Sequence, residues 1–267
     1  MDVPSALPAP FEGQRASFAA TLKTLVPEAA PLATERGLPE ELRTQLVDGT
    51  TVLAVIAADG VVVAGDRRAT AGNLISRRDM RKVFPADDRS AIAISGTAGP
   101  AMELAKLFAT ELEHYEKVEG EPLSLEGKST KLAGLVRAHL PLAMQGLVVV
   151  PLFAGVDPRT GTPRIFEYDP VGGRYVATAQ AATGSGSLAA RATLKRLVDP
   201  SADVDTAVRT ALEALVDAAE EDSATGGPDL IRRVFPIVAV IQSAGYRELD
   251  DEVIATHVEA ILEDRHT

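Results

Sequence analysis

Apolar positions along the chain follow two different periods, and each period predicts one kind of element. Short apolar runs bounded by glycine, proline or polar residues predict β-strands. The predicted strands are 50–58, 61–65, 73–76, 89–96, 147–155, 164–168, 174–179 and 232–242. Longer segments with apolar residues at helical spacing predict amphipathic helices. The predicted helices are 98–118, 127–144, 186–198, 203–220 and 250–263.

The first two predicted strands are joined by Ala58-Asp59-Gly60, and an Asp-Gly pair between apolar runs is a strong signal for a hairpin turn. Such a hairpin folds residues 61–66 back along residues 50–57. Asp66, which ends the second strand, is therefore expected to lie across from the start of the first strand.

The order of the elements favours one fold class. Helices follow one another in pairs instead of alternating singly with strands, which disfavours a doubly wound parallel sheet. Hairpins and helix pairs are typical of an α+β fold in which two antiparallel sheets lie face to face. With helices on both outer faces, the chain is predicted to form a four-layer α-β-β-α sandwich.

The character of the sequence changes at Gly49. The segment before it contains six prolines and only short windows of helical spacing, so we predict a loosely structured leader. The chain is therefore divided into a leader, residues 1–49, and a folded domain, residues 50–267.

Composition and charge argue against several classes of protein. The chain has 267 residues, a formal net charge of −11, and neither cysteine nor tryptophan. A disulfide framework and a thiolate zinc site are excluded, and the negative charge and few aromatic residues argue against nucleic-acid binding. The most apolar window, 146–156, is too short to span a bilayer, and the N-terminus does not match a secretory signal. We expect a cytoplasmic protein without a metal or cofactor.

Thr50, the first residue after the leader, could become a nucleophile if the leader is removed. Inside the chain its hydroxyl is a weak nucleophile without a neighbouring histidine. If the Gly49–Thr50 bond is cut, Thr50 gains a free α-amine with a pKa of about 8, which can act as general base for its own hydroxyl. Gly49, which has no Cβ, permits the tight turn that self-cleavage needs. Taken alone, the same letters also fit an ordinary β-branched strand.

Other polar positions also have ordinary interpretations when each is considered alone. Asp66 fits a turn cap, Lys82 fits an exposed basic run, and Gly96 fits a structural turn. The stretch ATGSGS (182–187) lacks the lysine of a phosphate-binding loop. The acidic stretch at 220–230 has no histidine nearby and matches no calcium-binding spacing.

Taken together, eight stretches resemble the β subunits of the bacterial 20S proteasome of the actinobacterial kind. They are GTTVLAV, GVVVAGDRRAT, GNLISRRDMRKVF, ISGTAG, LEHYEKVEG, AMQGL, ATGSGS and EDSATGGPDL. They are spread over most of the range 49–242, and their joint occurrence is far more specific than any one of them. The leader has a suitable length for a propeptide but carries no motif of its own.

The resemblance implies the N-terminal-nucleophile hydrolase fold, which agrees with the predicted sandwich, and threonine-protease activity. It also implies assembly with α subunits and other β subunits in stacked seven-membered rings. A ring-shaped ATPase or another activator would then deliver protein substrates through the α rings.

The resemblance also assigns catalytic roles to named positions. These are Thr50, Asp66, Lys82, Gly96, Ser185, Asp222 and Thr225. Thr50 is the nucleophile after autocleavage at Gly49-Thr50, and Asp66 and Lys82 complete its triad. An ammonium near the Thr50 hydroxyl favours its deprotonation, and Asp66 orients that ammonium. Gly96 matches the oxyanion-hole donor, and the last three match a group around the terminal amine.

Alignment from Thr50 extends to the substrate-binding positions. The walls of the pocket for the residue before the scissile bond are assigned to Ala69, Met80, Ile94 and Ala98, all of them apolar. Backbone groups of Thr70, Gly96 and Ala98 are expected to pair with the substrate as an added strand.

Three other functions fit parts of the pattern. A threonine amidase acting on small molecules would share an N-terminal threonine, but the spacing from GDRRAT to RKVF argues against it. A threonine-protease ring without α rings also begins with two threonines but lacks a leader of this length. A non-catalytic ring subunit would have no need of Thr50, Asp66 and Lys82 together.

Overall fold

The computed structural model describes residues 47–266, so most of the predicted leader lies outside the described residues. Its strands in chain order are β1 (Val47–Asp48), β2 (Thr51–Ala57), β3 (Gly60–Gly65), β4 (Ala69–Ala71), β5 (Leu74–Arg77), β6 (Val83–Asp87), β7 (Ser90–Gly96), β8 (Val149–Val156), β9 (Pro163–Tyr168), β10 (Arg174–Ala177), β11 (Gln180–Gly184), β12 (Ile237–Gln242) and β13 (Gly245–Glu248). Its helices are α1 (Ala98–Glu119), α2 (Leu125–Ala138), α3 (Leu140–Ala143), α4 (Ser187–Leu197), α5 (Val204–Glu221) and α6 (Asp251–His266).

Two five-stranded antiparallel sheets form the centre of the domain. One has the order β11-β2-β3-β12-β13 and the other the order β10-β9-β8-β7-β6. The hairpin predicted at Asp59-Gly60 is confirmed, with Val52 opposite Gly65 and Ala57 opposite Gly60. This register brings the residue after β3, Asp66, next to the start of β2.

Alternation along the strands divides the core into three apolar layers. On β2, Val52 and Ala54 pack between the sheets against residues such as Leu152 of the second sheet. Leu53 and Val55 point the other way, into a cluster formed with α4, α5 and α6. A third cluster lies between the second sheet and the helices α1 and α2. The predicted four-layer α-β-β-α sandwich is therefore confirmed.

Two predicted elements differ from the structure by five or more residues at one end, whereas the bounds of the others differ by one to three residues or agree. The helix predicted at 127–144 is interrupted, because α2 ends at Ala138 and the short α3 begins at Leu140 with a proline in its first turn. Proline has no N–H group and cannot continue a preceding helix. The strand predicted at 232–242 begins only at Ile237, since Arg233 has a left-handed backbone with φ of 53° and Pro236 precedes the strand.

Several short strands were not predicted, and one of them bears directly on the site. β4 pairs with β5 on one side and with β1, the last residues of the predicted leader, on the other. Asp48 lies opposite Thr70 and Val47 opposite Ala71 in antiparallel register. The end of the leader therefore forms an added strand directly before Gly49 and Thr50.

Of the helices in residues 47–266, none combines the length and apolar composition needed to cross a lipid bilayer.

Candidate active site

Gly49 and Thr50 connect β1 to β2 at the edge of the sandwich. Gly49 has a φ of +91°, which favours glycine, and a Cβ there would lie 2.5 Å from Thr70 Oγ1 and 2.9 Å from Ala224 Cβ. Thr50 is buried, and its hydroxyl donates a hydrogen bond of 2.5 Å to the Gly49 carbonyl oxygen. The nucleophile assigned from sequence is thus held against the peptide bond that it is expected to cleave.

Lys82 reaches the same carbonyl from the other side. Its ammonium donates to Gly49 O at 2.8 Å, to Asp66 Oδ1 at 2.7 Å and to Arg68 O at 2.5 Å. Each of the three ammonium protons therefore has an acceptor. Thr50 Oγ1 and Lys82 Nζ share one carbonyl oxygen, which places them next to each other.

Asp66 is held by backbone donors as well as by Lys82. Oδ1 accepts from the Thr51 N–H at 2.8 Å, and Oδ2 accepts from the N–H groups of Arg68 and Gly226 at 2.8 and 2.9 Å. The Asp66 side chain is fully buried, and that of Lys82 is 1% exposed. The structure therefore brings these two assigned residues together, and the carboxylate fixes the lysine in one position.

Burial has a direct consequence for Lys82. Removal from water lowers the pKa of Lys82, because desolvation disfavours the charged form, while the Asp66 carboxylate opposes this shift. The pKa of Lys82 lies below its ordinary value. A lysine of this kind exchanges its proton closer to neutral pH than an exposed one.

Ser185, Asp222 and Thr225 form a second group on the other side of Thr50. Asp222 Oδ2 accepts hydrogen bonds from the hydroxyls of Ser185 at 2.5 Å and Thr225 at 2.6 Å. Ser185 Oγ in turn accepts from the Thr50 N–H at 3.4 Å, and the Ser185 N–H donates to Thr50 O at 2.8 Å. The three residues assigned to the terminal amine are thus brought together beside Thr50 N.

The charge of Asp222 is stabilised by its surroundings. Burial acts to raise the pKa of Asp222, but hydrogen bonds from Ser185, Thr225 and the Ala224 N–H outweigh it, with help from the Lys82 charge. The pKa of Asp222 lies below its ordinary value, so this carboxylate is ionised at neutral pH.

Gly96 ends β7 with a φ of +97°, and a Cβ there would collide with the Val148 carbonyl. The position therefore requires glycine on structural grounds. The following residue, Thr97, donates its N–H to Val148 O at 2.8 Å. The geometry around Gly96 thus explains the glycine through the backbone, independently of any role in catalysis.

A cavity of about 550 Å³ opens between the β5–β6 connection and the start of α1. Met80 and Ala98 line it, as assigned from sequence, together with Met102 and Leu147. The other two assigned wall residues, Ala69 and Ile94, are not in its lining and are almost completely buried. The lining also includes three charged residues that were not assigned, namely Arg77, Asp79 and Arg81.

Comparison with known proteins places the chain in a family. A family model described as proteasome subunit matches residues 47–231. A proteasome subunit beta of Acidimicrobium ferrooxidans is 54% identical over 227 residues, which cover 84% of this chain and 83% of that protein. A proteasome subunit beta of Streptomyces griseus is 50% identical over 250 residues, which cover 93% of this chain and 88% of that protein.

The chain belongs to the proteasome subunit family.

Within this proteasome subunit, sequence reasoning missed several members of the site. Thr51 donates its N–H to Asp66 and its hydroxyl is hydrogen-bonded to Thr225, yet a threonine at this position is common in any β-strand. The Arg68 carbonyl and the Gly226 N–H act through the backbone, so their side-chain identities gave no signal. The pairing of β1 with β4 was missed because two residues are too few to show a period.

In the part of this proteasome subunit that the structure describes, no group of three or more histidine, aspartate or glutamate side chains is arranged to hold a metal ion.

Proposed function

We propose that the chain is a catalytic β subunit of a 20S proteasome core particle and a threonine endopeptidase. Thr50 is its nucleophile after removal of residues 1–49. The observation that carries the proposal is the convergence of Thr50 Oγ1 and Lys82 Nζ on the Gly49 carbonyl, in a chain of the proteasome subunit family.

Removal of the leader follows from this arrangement. Thr50 Oγ1 attacks the Gly49 carbonyl carbon, and the Lys82 ammonium stabilises the negative charge that develops on the carbonyl oxygen. The bond between Gly49 and Thr50 N breaks, its nitrogen takes a proton, and Gly49 is left as an ester on Thr50. Water hydrolyses this ester, which releases the leader with a Gly49 carboxylate and leaves Thr50 with a free amine and hydroxyl.

Turnover of protein substrates uses the same groups. Before cleavage, the Thr50 hydroxyl and the Lys82 ammonium both donate to the Gly49 carbonyl oxygen. Once Gly49 has left, the Lys82 ammonium faces the Thr50 hydroxyl and favours deprotonation of that hydroxyl. The new amine lies beside Ser185 and Asp222 and is the general base or proton relay. We assign the oxyanion donor to the Gly96 N–H, on the resemblance alone.

The end of the leader indicates how a substrate lies in the site. Because Asp48 and Val47 pair with Thr70 and Ala71, a substrate is expected to add to β4 as an antiparallel strand. Its residue before the scissile bond then takes the place of Gly49, and the cavity lined by Met80 and Ala98 receives the side chain.

The proposal extends to assembly and location. The subunit combines with α subunits and other β subunits in stacked seven-membered rings, and a ring ATPase or another activator acts through the α rings. A cytoplasmic location agrees with a chain that contains no cysteine.

Gly49→Ala is expected to slow leader removal about ten- to a hundredfold. The backbone at Gly49 is left-handed, and the added methyl group would overlap Thr70 Oγ1 and Ala224. The attacking hydroxyl and the carbonyl would therefore lose their alignment. The fraction of processed subunit over time, measured by gel or mass, checks this expectation.

Gly134→Ala is the matched control, because a Cβ there meets nothing within 4 Å. Processing of Gly49→Ala at the rate of Gly134→Ala would contradict a role for the Gly49 conformation.

Cleavage preference tests the proposed activity. Peptides with Leu, Tyr or Phe before the scissile bond are expected to be cut faster than peptides with Arg or Asp. Burial of apolar surface contributes about 25 cal/mol per Å², and Met80, Ala98 and Met102 supply an apolar lining. The charged lining residues already have partners, since Arg81 binds Glu248 at 2.7 Å and Arg77 lies 3.6 Å from Asp79.

The measurement uses fluorogenic peptides that differ only at this position, on particles purified with the α subunit. Met80→Ala should weaken the preference for Leu, whereas Met144→Ala, at an exposed methionine outside the cavity lining, should not. Faster cleavage of the Arg or Asp peptide by the wild type would refute the pocket assignment.

A further inference from the structure

Thr51 links the two polar groups that flank Thr50. Its N–H donates to Asp66 Oδ1 at 2.8 Å, the same oxygen that accepts from Lys82. Its hydroxyl lies 2.6 Å from Thr225 Oγ1 and accepts from the Gly186 N–H at 3.1 Å. Thr51 and Thr225 are both fully buried, so water does not compete for these bonds.

The direction of the hydrogen bonds follows from the proton count. Asp222 is ionised and can only accept, so Thr225 donates its single hydroxyl proton to Asp222. Thr225 Oγ1 must then accept from Thr51, and Thr51 Oγ1 accepts from the Gly186 N–H. A continuous chain of hydrogen bonds therefore runs from Gly186 through two threonine hydroxyls to the carboxylate.

The backbone at Gly186 is packed closely against this chain. A Cβ there would collide with Thr51 Oγ1 and would lie 2.8 Å from Thr225 Oγ1 and 3.1 Å from Ala218 Cβ. A side chain at position 51 that lacks the hydroxyl would leave the Gly186 N–H buried without an acceptor, which is costly.

We infer that Thr51 is a positioning residue, whose hydroxyl holds the Ser185–Asp222–Thr225 group in register with the Thr50 amine. The inference rests on the proposed function. Once the leader is removed, Thr50 is a chain end, and its only covalent neighbour is Thr51. The Thr51 N–H fixes that end relative to Asp66 and Lys82, and the Thr51 hydroxyl fixes it relative to Asp222.

Thr51→Val, which keeps the β-branched shape but removes the hydroxyl, is the variant that tests this inference. We expect kcat to fall about tenfold, because the Ser185–Asp222–Thr225 group is no longer held in its productive position beside the Thr50 amine. KM should stay within about twofold, because Thr51 is fully buried and does not line the substrate cavity. Thr51→Ser, which restores the hydroxyl, should recover most of the rate.

The pH profile of kcat/KM provides a readout that a merely structural role would not change. Without the Thr51 donor, Thr225 is a weaker donor to Asp222, and the carboxylate is no longer fixed beside the Thr50 amine. An ionised carboxylate raises the pKa of a neighbouring amine, so the pKa of the Thr50 amine should fall when this carboxylate moves away. The fall in rate on the acidic side, where the amine is protonated, should therefore begin at lower pH in Thr51→Val than in the wild type. The titratable and charged groups around Asp222 in the mature subunit are the Thr50 amine, Lys82 and, next to Lys82, Asp66, and all three are present in both Thr51 variants.

The outcomes separate this inference from the proposed function. Inactive wild-type particles, or an active Thr50→Ala variant, would refute the proposed function whatever Thr51 does. Active wild-type particles together with an unchanged kcat and pH profile in Thr51→Val would overturn the inference alone. If Thr51→Val does not fold, Thr225→Val, which removes the other end of the same bond, should reproduce the shift in the acidic limb, and an unshifted limb there would equally overturn it.

Discussion

Thr50→Ala is expected to retain the leader and to lose peptidase activity by a factor on the order of 10⁴ or more. Both effects have one cause, because the same hydroxyl attacks the Gly49 carbonyl and later the substrate. In the structure this hydroxyl lies 2.5 Å from the Gly49 carbonyl oxygen and faces Lys82 across it. Alanine supplies no nucleophile at this position. Particles assembled without any wild-type subunit, assayed with a fluorogenic peptide and by subunit mass, provide the measurement.

Thr50→Ser is the matched control, because it preserves the hydroxyl. It should be processed and should keep measurable activity. Complete processing of Thr50→Ala, with no wild-type subunit present, would rule out autocatalysis and would require an external protease.

Lys82→Ala is expected to reduce peptidase activity by about 10²–10⁴-fold, the range for loss of a positioned proton-transfer group. It should also destabilise the subunit, in contrast to an exposed lysine. The Lys82 side chain is 1% exposed and paired with Asp66 at 2.7 Å, and removal of one partner of a buried pair costs about 3–5 kcal/mol. The N–H groups of Thr51, Arg68 and Gly226 continue to satisfy Asp66, so we expect the domain to fold.

Lys128 offers a matched control for this loss of stability. It is 2% exposed and lies 2.5 Å from Asp87, on the helix α2 and away from Thr50. Lys128→Ala should therefore lower the thermal midpoint comparably but leave the peptidase rate per assembled particle nearly unchanged. If Lys82→Ala particles kept most of the wild-type rate, or if both variants lost activity equally, the role of Lys82 in the triad would be wrong.

The architecture was largely predictable because its signals are local. The Asp59-Gly60 turn predicted the first hairpin, and the occurrence of helices in pairs predicted the four-layer sandwich. The prediction was wrong where a single residue interrupts an otherwise regular apolar spacing. Pro141 does this in the helix predicted at 127–144. The edge strand β11 was missed because Gln180–Gly184 holds a single β-branched residue, Thr183, and no run of large apolar residues.

Some residues of the candidate site could also be predicted from the sequence, and others could not. Hairpin geometry alone predicted that Asp66 lies near the start of β2, and the resemblance was needed to single out Lys82 from a basic run. No sequence argument identified Thr51, because a threonine in a strand is ordinary until its buried contact with Thr225 is seen. The backbone donors of Arg68 and Gly226 depend on chain path rather than on residue type.

The N-terminal residue of the mature subunit tests the central claim most directly. The wild-type chain is purified in particles with its α partner, and its intact mass and N-terminal sequence are determined in preparations that cleave peptide. We predict a chain of residues 50–267 that begins with Thr50 and its free amine. An active particle whose β subunit retains residues 1–49, or begins at any other residue, would contradict the account.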